Sequence, residues 1–323
     1  MPRLAVMTSG GDSPGMNAAI RAFTRAGLAR GHEILGIRDG YTGLIGGDFH
    51  PLGARQVGGI INRGGTILGT TRCDALRTQR GLVAACKSIR DHHINGLGVS
   101  GGNGSQAGAE ALGRHGVPVI GVASTIDNDL TGAEPSIGVM TALDVAVEAI
   151  DRIRTTAMAF RRAFLIEVMG RQSGYLALIA GIAGGAELIV LPEHELTPSD
   201  VLARLHTLHE QRRAHAIVVV AEGSAWNADR LDAYFKAQKS VEIFETRVTK
   251  LGHVQRGGAP GVYDRILATR LGVAAVDAFE RGQMNVMLGM TGGAICATEL
   301  CEVVRAKKPF PEHLLAMAKT LAQ

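Results

Sequence analysis

Aromatic residues are scarce: Phe, Trp and Tyr together make up 4% of the 323 residues, and no run of Lys or Arg stands out. A nucleic-acid surface needs basic patches with rings between them, so small anionic ligands are expected rather than DNA or RNA. The four cysteines, Cys73, Cys86, Cys296 and Cys301, form no Cys-x-x-Cys pair and no zinc spacing. Reduced cytosolic thiols are the plain reading. No apolar run approaches the roughly 18 residues that span a bilayer, and Leu4–Met7 is too short for the apolar core of a secretory leader. The expectation is a cytoplasmic protein with no membrane partner. Internal repeats and low-complexity segments are also missing.

Glycine, by contrast, is plentiful, at 43 residues without a collagen-like period, so it must serve turns and close backbone approaches. The length suggests roughly two domains with ample core. A net charge of +4 is carried by far more Arg than Lys. Compositional habit accounts for that as readily as phosphate binding by guanidinium forks.

The densest signal is Leu4-Ala5-Val6-Met7 followed by Thr8-Ser9-Gly10-Gly11-Asp12-Ser13-Pro14-Gly15-Met16-Asn17. A short apolar strand feeds a glycine-rich turn, and a helix is expected to start at Pro14. Backbone N–H groups at Gly10 and Gly11 can close on an anion, and the helix N-terminus aims its positive dipole end at the same place. Gly10 to Gly15 has the outer spacing of a P-loop, but Met16-Asn17 replaces its Lys-Ser/Thr, and the GxGxxG order is absent. The run reads as a phosphate cradle, or else as ordinary punctuation after a strand.

Strands are expected at 33–37, 96–100, 117–122, 164–168, 188–191, 216–221, 247–251 and 286–288, and helices over about 75–92, around 107–112 and over 138–158. This alternation predicts an α/β fold of mainly parallel sheets covered by helices. Ligands bind such sheets at the loops leaving the strand ends, and that is where the chemistry-rich segments fall. Gly101-Gly102-Asn103-Gly104-Ser105 is a second glycine turn into a helix. Thr125-Ile126-Asp127-Asn128-Asp129 puts two carboxylates at i, i+2: one to deprotonate a hydroxyl and one to serve a metal ion, or simply a turn satisfying its own backbone. Arg72, Arg162, Arg171, Arg247 and Arg256 flank strands or glycine turns, where a guanidinium can clamp phosphate or stay solvated. His253 can donate to a sugar hydroxyl or bond within its loop. His206 and His209 read as surface.

Thr8–Arg21, Arg63–Leu68, Thr125–Asp129, Glu167–Arg171, Ala221–Gly223, Glu245–Val248 and Leu251–Gly258 closely resemble the bacterial ATP-dependent 6-phosphofructokinases, collinearly from residue 1 to about 285. Residues 224–244 and the last forty match less well. The resemblance implies two interleaved domains: 1–138 with 252–302, binding nucleotide, and 139–251 with 303–323, binding sugar phosphate. It implies glycolytic phosphoryl transfer from ATP to the 1-hydroxyl of fructose 6-phosphate, with Asp127 as base, Thr125 and Asp129 in support, and Arg72 and Arg171 stabilising charge. Met169, Gly170, Glu222, His253 and Arg256 would hold the sugar, with Arg162 and Arg247 supplied by a neighbouring subunit of a homotetramer. Nucleotide would lie against Gly11, Arg72, Cys73, Gly102, Asn103, Gly104 and Ser105. ADP or phosphoenolpyruvate would act as effector at Arg21, Arg25, Arg154, Gly185, Glu187 and Arg213, although the segments around Arg55 and Gln211 differ from the family.

One departure bears on the metal. The family carries Asp, which holds the Mg2+ of Mg-ATP, where this chain has Asn103. An amide oxygen supplies a ligand without the charge a hard cation prefers, so Asn103 is a weakened metal residue and Asp129 a second candidate. Pyrophosphate-dependent relatives carry Asp in place of Gly104 and Lys in place of Ser124; this chain has neither. The expectations are therefore an ATP-dependent kinase, alternatively a catalytically weakened regulatory or ligand-binding paralogue, with pyrophosphate the less favoured donor.

Overall fold

The computed structural model describes residues 1–238 and 244–321. Residues 239–243, within the stretch of weaker resemblance, and residues 322–323 lie outside the described part. The strands in chain order are β1 (Arg3–Ser9), β2 (Glu33–Ile37), β3 (Phe49–Pro51), β4 (Gly96–Gly101), β5 (Val119–Ala123), β6 (Arg162–Val168), β7 (Leu188–Val190), β8 (Ala216–Ala221), β9 (Glu245–Lys250), β10 (Val286–Thr291) and β11 (Ala294–Glu299). The chain forms two compact units, residues 1–141 with 256–308 and residues 142–255 with 309–323.

The first unit is built on a seven-stranded sheet in the order β11-β10-β5-β4-β1-β2-β3. Its inner strands are parallel, and β3 and β11 are added antiparallel at the two edges. Both edge strands escaped the sequence reading. β3 is three residues long, and β11, at Ala294–Glu299, buries none of its residues fully, so neither shows the continuous apolar run of a doubly covered strand. Side chains alternate strictly between two cores: Leu4 and Val6 join Ile20 and Phe23 on one face, while Ala5 and Met7 join Leu97 and Val99 on the other. Phe23 meets Phe279 edge-on at 6.3 Å, locking the helix Met16–Ala29 to the helix Val262–Glu280.

The first helix begins at Met16 rather than at Pro14. Gly15 stands at its N-cap with φ of 112°, a conformation that L side chains rarely adopt, so the turn closes one residue beyond the proline. The expected helix at 75–92 divides into a single 3-10 turn, Asp74–Arg77, and the helix Gln79–Asp91, with Thr78 accepting from Gly81 N at 3.1 Å between them. A buried carboxylate fastens the end of the unit's long N-terminal segment. Asp264 Oδ1 accepts from Gly138 N (2.8 Å), and its Oδ2 accepts from Thr141 N (2.7 Å) and Thr141 Oγ1 (2.6 Å).

The second unit carries a four-stranded parallel sheet in the order β7-β8-β6-β9. Every residue of β8, Ala-Ile-Val-Val-Val-Ala, is buried. The helix Pro198–Glu210 on this sheet opens with a reciprocal capping box, Thr197 with Asp200. Among the described residues, no helix is long and apolar enough to cross a membrane.

Candidate active site

In the first unit, strand register aligns the chemistry. Ser9 pairs with Gly101 and Gly101 with Ala123, so the two glycine turns and the acidic loop leave β1, β4 and β5 side by side. β1 and β4 also flank the point where strand order reverses, the place where open α/β sheets bind ligands.

The first turn is braced from behind. Thr70 Oγ1 donates to Gly10 O at 2.7 Å. Asn17, standing where a P-loop has Ser or Thr, donates to Arg63 O (3.0 Å) and Gly64 O (3.1 Å) and accepts from Ile67 N (2.7 Å). It staples the Arg63–Leu68 segment to the helix and so has a structural use of its own. Gly11 lets the Arg256 guanidinium close on the turn: a Cβ there would lie 2.7 Å from Arg256 Nη1 and push it aside. Arg256 is buried, donates to Asp12 O at 2.8 Å and holds Nη2 3.6 Å from Asp127 Oδ1. Its guanidinium thus joins the first turn to the acidic loop, within the first unit.

At the second turn, Gly102 caps the helix Asn103–Arg114, leaving Asn103 and Gly104 exposed. A Cβ at Gly104 would meet nothing within 4 Å. Ser105 is spent internally: its Oγ donates to Ser9 O at 2.8 Å, its N donates to Gly102 O at 2.9 Å, and its carbonyl accepts from Tyr41 OH at 2.5 Å. Burial pushes the Tyr41 hydroxyl far above its ordinary pKa, which keeps it a donor. Arg72 is exposed, and the neighbouring Cys73 packs against the core around Tyr41 and Leu44.

In the acidic loop, Asp127 is 4% exposed and its N–H donates to Thr125 Oγ1 at 3.2 Å. Asn128 adopts a left-handed φ of 50° between the two aspartates. Among the described residues, Asp129 Oδ1 is buried without a hydrogen-bond partner, and no three His, Cys, Asp or Glu groups cluster to hold a metal. A magnesium ion needs only one or two carboxylates when it arrives on nucleotide phosphates, so this donor set fits such an ion and no all-protein cage. Ser13 Oγ and Ser124 Oγ share a buried hydrogen bond of 2.7 Å that ties the first turn to the start of this loop.

The second unit repeats the logic. Val168 pairs with Ala221 and Glu167 with Lys250, so the loops after β6, β8 and β9 emerge together. The turn Met169-Gly170-Arg171 has positive φ at both Gly170 (144°) and Arg171 (53°). Glu222 Oε1 accepts from Gly170 N (3.2 Å) and Arg171 N (2.8 Å), while Gln255 Oε1 accepts from Met169 N (2.8 Å). Glu222 therefore shapes the turn as well as lying beside it. Gln255 was invisible as a site residue because nothing in its sequence context marks a buried amide. His253 is exposed on the single 3-10 turn Gly252–Gln255.

Arg162 and Arg247, on neighbouring strands, converge on Glu245, a residue whose role nothing in the sequence pattern marks. Arg162 Nε donates to Glu245 Oε2 at 2.5 Å, Arg247 Nη2 donates to Glu245 Oε1, and the Arg162 guanidinium sits 4.7 Å from the Phe160 ring centroid. Hydrogen bonding from Arg162, then from Arg247, holds the Glu245 carboxyl below its usual pKa.

Four of the expected effector residues, Arg154, Gly185, Glu187 and Arg213, line one cavity of about 720 Å³ whose apolar wall includes Ile182, Leu188 and Leu315. Arg154 donates to Gly184 O and to Gly185 O (2.8 Å) and lies 3.7 Å from Glu187, which itself accepts from Ile217 N at 2.7 Å. Arg21 and Arg25 belong to the first unit, half-buried and exposed respectively on its first helix.

A family model described as phosphofructokinase matches residues 3–279. A protein of Thermus thermophilus named ATP-dependent 6-phosphofructokinase 1 is 48% identical over 323 residues, and one of Thermotoga neapolitana named ATP-dependent 6-phosphofructokinase is 45% identical over 328 residues, each alignment covering both chains completely. Among solved structures, the phosphofructokinase of Saccharomyces cerevisiae superposes with a TM-score of 0.86 at 33% identity, covering 99% of this chain and 47% of the yeast chain. A pyrophosphate-dependent phosphofructokinase from Marinobacter aquaeolei shares the fold, with a TM-score of 0.85 at 21% identity over 97% of this chain and 86% of that one. With its two glycine turns and acidic loop aligned at one sheet edge and its matches running the length of the sequence, this chain belongs to the phosphofructokinase family.

Proposed function

We propose that the chain transfers the terminal phosphoryl group of ATP to the 1-hydroxyl of fructose 6-phosphate, giving fructose 1,6-bisphosphate and ADP, the committed chemistry of a glycolytic kinase. The observation that carries this reading is full-length identity of 45–48% to bacterial proteins named for that activity. The same names count against a decayed paralogue and against pyrophosphate as donor.

Asp127 takes the proton of the 1-hydroxyl as the new O–P bond forms and the bond to the departing ADP oxygen breaks. Its burial and its Thr125 bond support the role by fixing its backbone. Arg72 and Arg171 offset charge on the phosphoryl group in flight. Gly11, Cys73 and the Gly102–Ser105 turn receive the nucleotide, with Ser105 acting through the hydrogen bonds that shape the turn. Met169, Gly170, Glu222, His253 and Arg256 serve the sugar phosphate. The Glu245-held pair Arg162 and Arg247 reaches the 6-phosphate of a neighbouring subunit, which makes the working form a homotetramer. Asp129 and the Asn103 amide oxygen would hold Mg2+ beside the nucleotide phosphates, where the ion would offset their charge. ADP or phosphoenolpyruvate acts at a site formed between subunits, to which one contributes the cavity lined by Arg154, Gly185, Glu187 and Arg213 and another Arg21 and Arg25.

The test is ADP formation from ATP that depends on fructose 6-phosphate, measured for the parent and for Asn103→Asp, with pyrophosphate as a parallel donor. Turnover with ATP is expected in both proteins. No ADP from either would refute the activity, and faster turnover with pyrophosphate would replace the donor.

A further inference from the structure

The loop that carries Asp127 leaves the sheet at Ser124 and returns at Ile137, where Ile137 N donates to Ala123 O at 3.1 Å. Twelve residues lie between, and a small polar network fixes them. Ser136 Oγ donates to Thr125 O at 2.7 Å, and Ser136 N donates to Asn128 Oδ1 at 3.2 Å. The same Asn128 oxygen accepts from Lys308 Nζ at 3.1 Å, and that ammonium also donates to Ala133 O at 2.5 Å. Two residues earlier in the Lys308 segment, Ala306 O accepts from Thr131 Oγ1 at 3.3 Å. Residues 306–308 thus grip the loop at three points, 128, 131 and 133.

We infer that Lys308 is a positioning residue for catalysis: it holds Asn128 in the left-handed conformation that sets the angle between Asp127 and Asp129. The inference rests on the reading of Asp127 as the base. Three observations carry it. Asn128 stands at φ of 50°, a region asparagine tolerates better than most residues but must be held in, and its side-chain oxygen is shared by two donors, one eight positions on in its own loop and one 180 positions on. Asn128 is itself 4% exposed, so losing the ammonium would remove a partner from a buried acceptor. Lys308 is half-buried, and its ammonium is turned inward onto two oxygens of the loop, Asn128 Oδ1 and Ala133 O. An ordinary surface lysine would not be kept in such a place. Lys308 is also the last residue of the first unit before the chain passes into the second.

The measurement is steady-state kinetics with ATP and fructose 6-phosphate on Lys308→Met, Lys308→Arg, Asn128→Gly, the Lys308→Met/Asn128→Gly double variant, and Asp127→Ser. Misplacing a reacting group by up to about an ångström costs up to about a hundredfold in rate, so a loss of about tenfold to a hundredfold is the range to look for. Lys308→Met is expected to lower kcat in that range while KM for fructose 6-phosphate stays within about twofold, because the amino group acts on the base rather than on the sugar. Lys308→Arg should recover most of the rate. Asn128→Gly permits the left-handed conformation without strain but deletes the shared oxygen that holds the residue in it, so it should match Lys308→Met, and the double variant should be no slower than either single one. Asn128→Gly alone makes the same test if Lys308→Met does not fold. If Asp127→Ser is inactive while Lys308→Met or Asn128→Gly turns over within about twofold of the parent, the positioning role is overturned. Additive losses with kcat and KM moving together overturn it as well. Parental kcat in Asp127→Ser would instead remove the base, and the inference with it.

Discussion

Replacing Asp264 by alanine offers the sharpest test of how the first unit holds the return from its acidic loop. The carboxylate is fully buried and accepts from Gly138 N, Thr141 N and Thr141 Oγ1 at 2.6–2.8 Å. Hydrogen bonds to a charged acceptor contribute about 1.5–3 kcal/mol each, and a stranded buried amide costs about 1–3 kcal/mol. Against those losses stands the desolvation of the carboxylate, which the alanine no longer suffers. The balance is a destabilisation of about 3–5 kcal/mol, a third or more of the stability of a typical domain. With a urea m-value near 3 kcal/mol/M, the unfolding midpoint followed by circular dichroism should fall by about 1–1.7 M. Asp264→Asn, which keeps one acceptor oxygen but turns an amide donor toward a donor, should lie between parent and alanine. A shift below about 0.3 M urea for the alanine variant at unchanged m would refute the assignment, since it would mean that the two amides find water as good a partner.

Asp127→Ser should lower kcat by about 10²–10⁴ while calorimetry finds fructose 6-phosphate binding nearly unchanged; equal turnover would take Asp127 out of the chemistry. Asn103→Asp should tighten the apparent magnesium affinity at fixed ATP, and protein aged until Asn103-Gly104 deamidates should shift the same way; identical titrations of fresh, aged and substituted protein would make residue 103 irrelevant to the metal. ADP or phosphoenolpyruvate should shift fructose 6-phosphate affinity, and Arg21→Ala with Arg25→Ala should abolish the shift, so calorimetric curves insensitive to both effectors would remove the regulatory site.

The parallel strands were legible because a strand covered on both faces reads as an unbroken apolar run, and β8 is the plainest case. The glycine turns were legible because their residues serve local backbone geometry. What escaped were partnerships distant in sequence. Asn17 was noticed only as a failed P-loop residue, since its partners at Arg63, Gly64 and Ile67 lie some fifty positions away. Glu245 sat unassigned between two arginines until strand pairing brought Arg162 opposite it. Arg256, grouped with the sugar, is bonded to Asp12, 244 positions earlier in the chain. Spacing shows which residues share a strand or a helix face, whereas contacts set by sheet order need the topology.

Gly104 and Ser124 have opposite freedoms, and these set which of the two positions can change without rebuilding the fold. Among the described residues nothing lies within 4 Å of a Cβ at 104, so Asp, the residue that the resemblance assigns to pyrophosphate-using relatives, is accessible by a step that leaves the fold untouched. Position 124 offers no such latitude: it is fully buried and bonded to Ser13, and a lysine would have to bury an ammonium and break that tie. A lineage drifting toward pyrophosphate would therefore be free to change 104 first and would change 124 only after the neighbouring turn had been rebuilt. The buried serine pair makes 124 the later of the two positions to change, and chains carrying Asp at 104 with Ser kept at 124 are the ones such a drift would pass through.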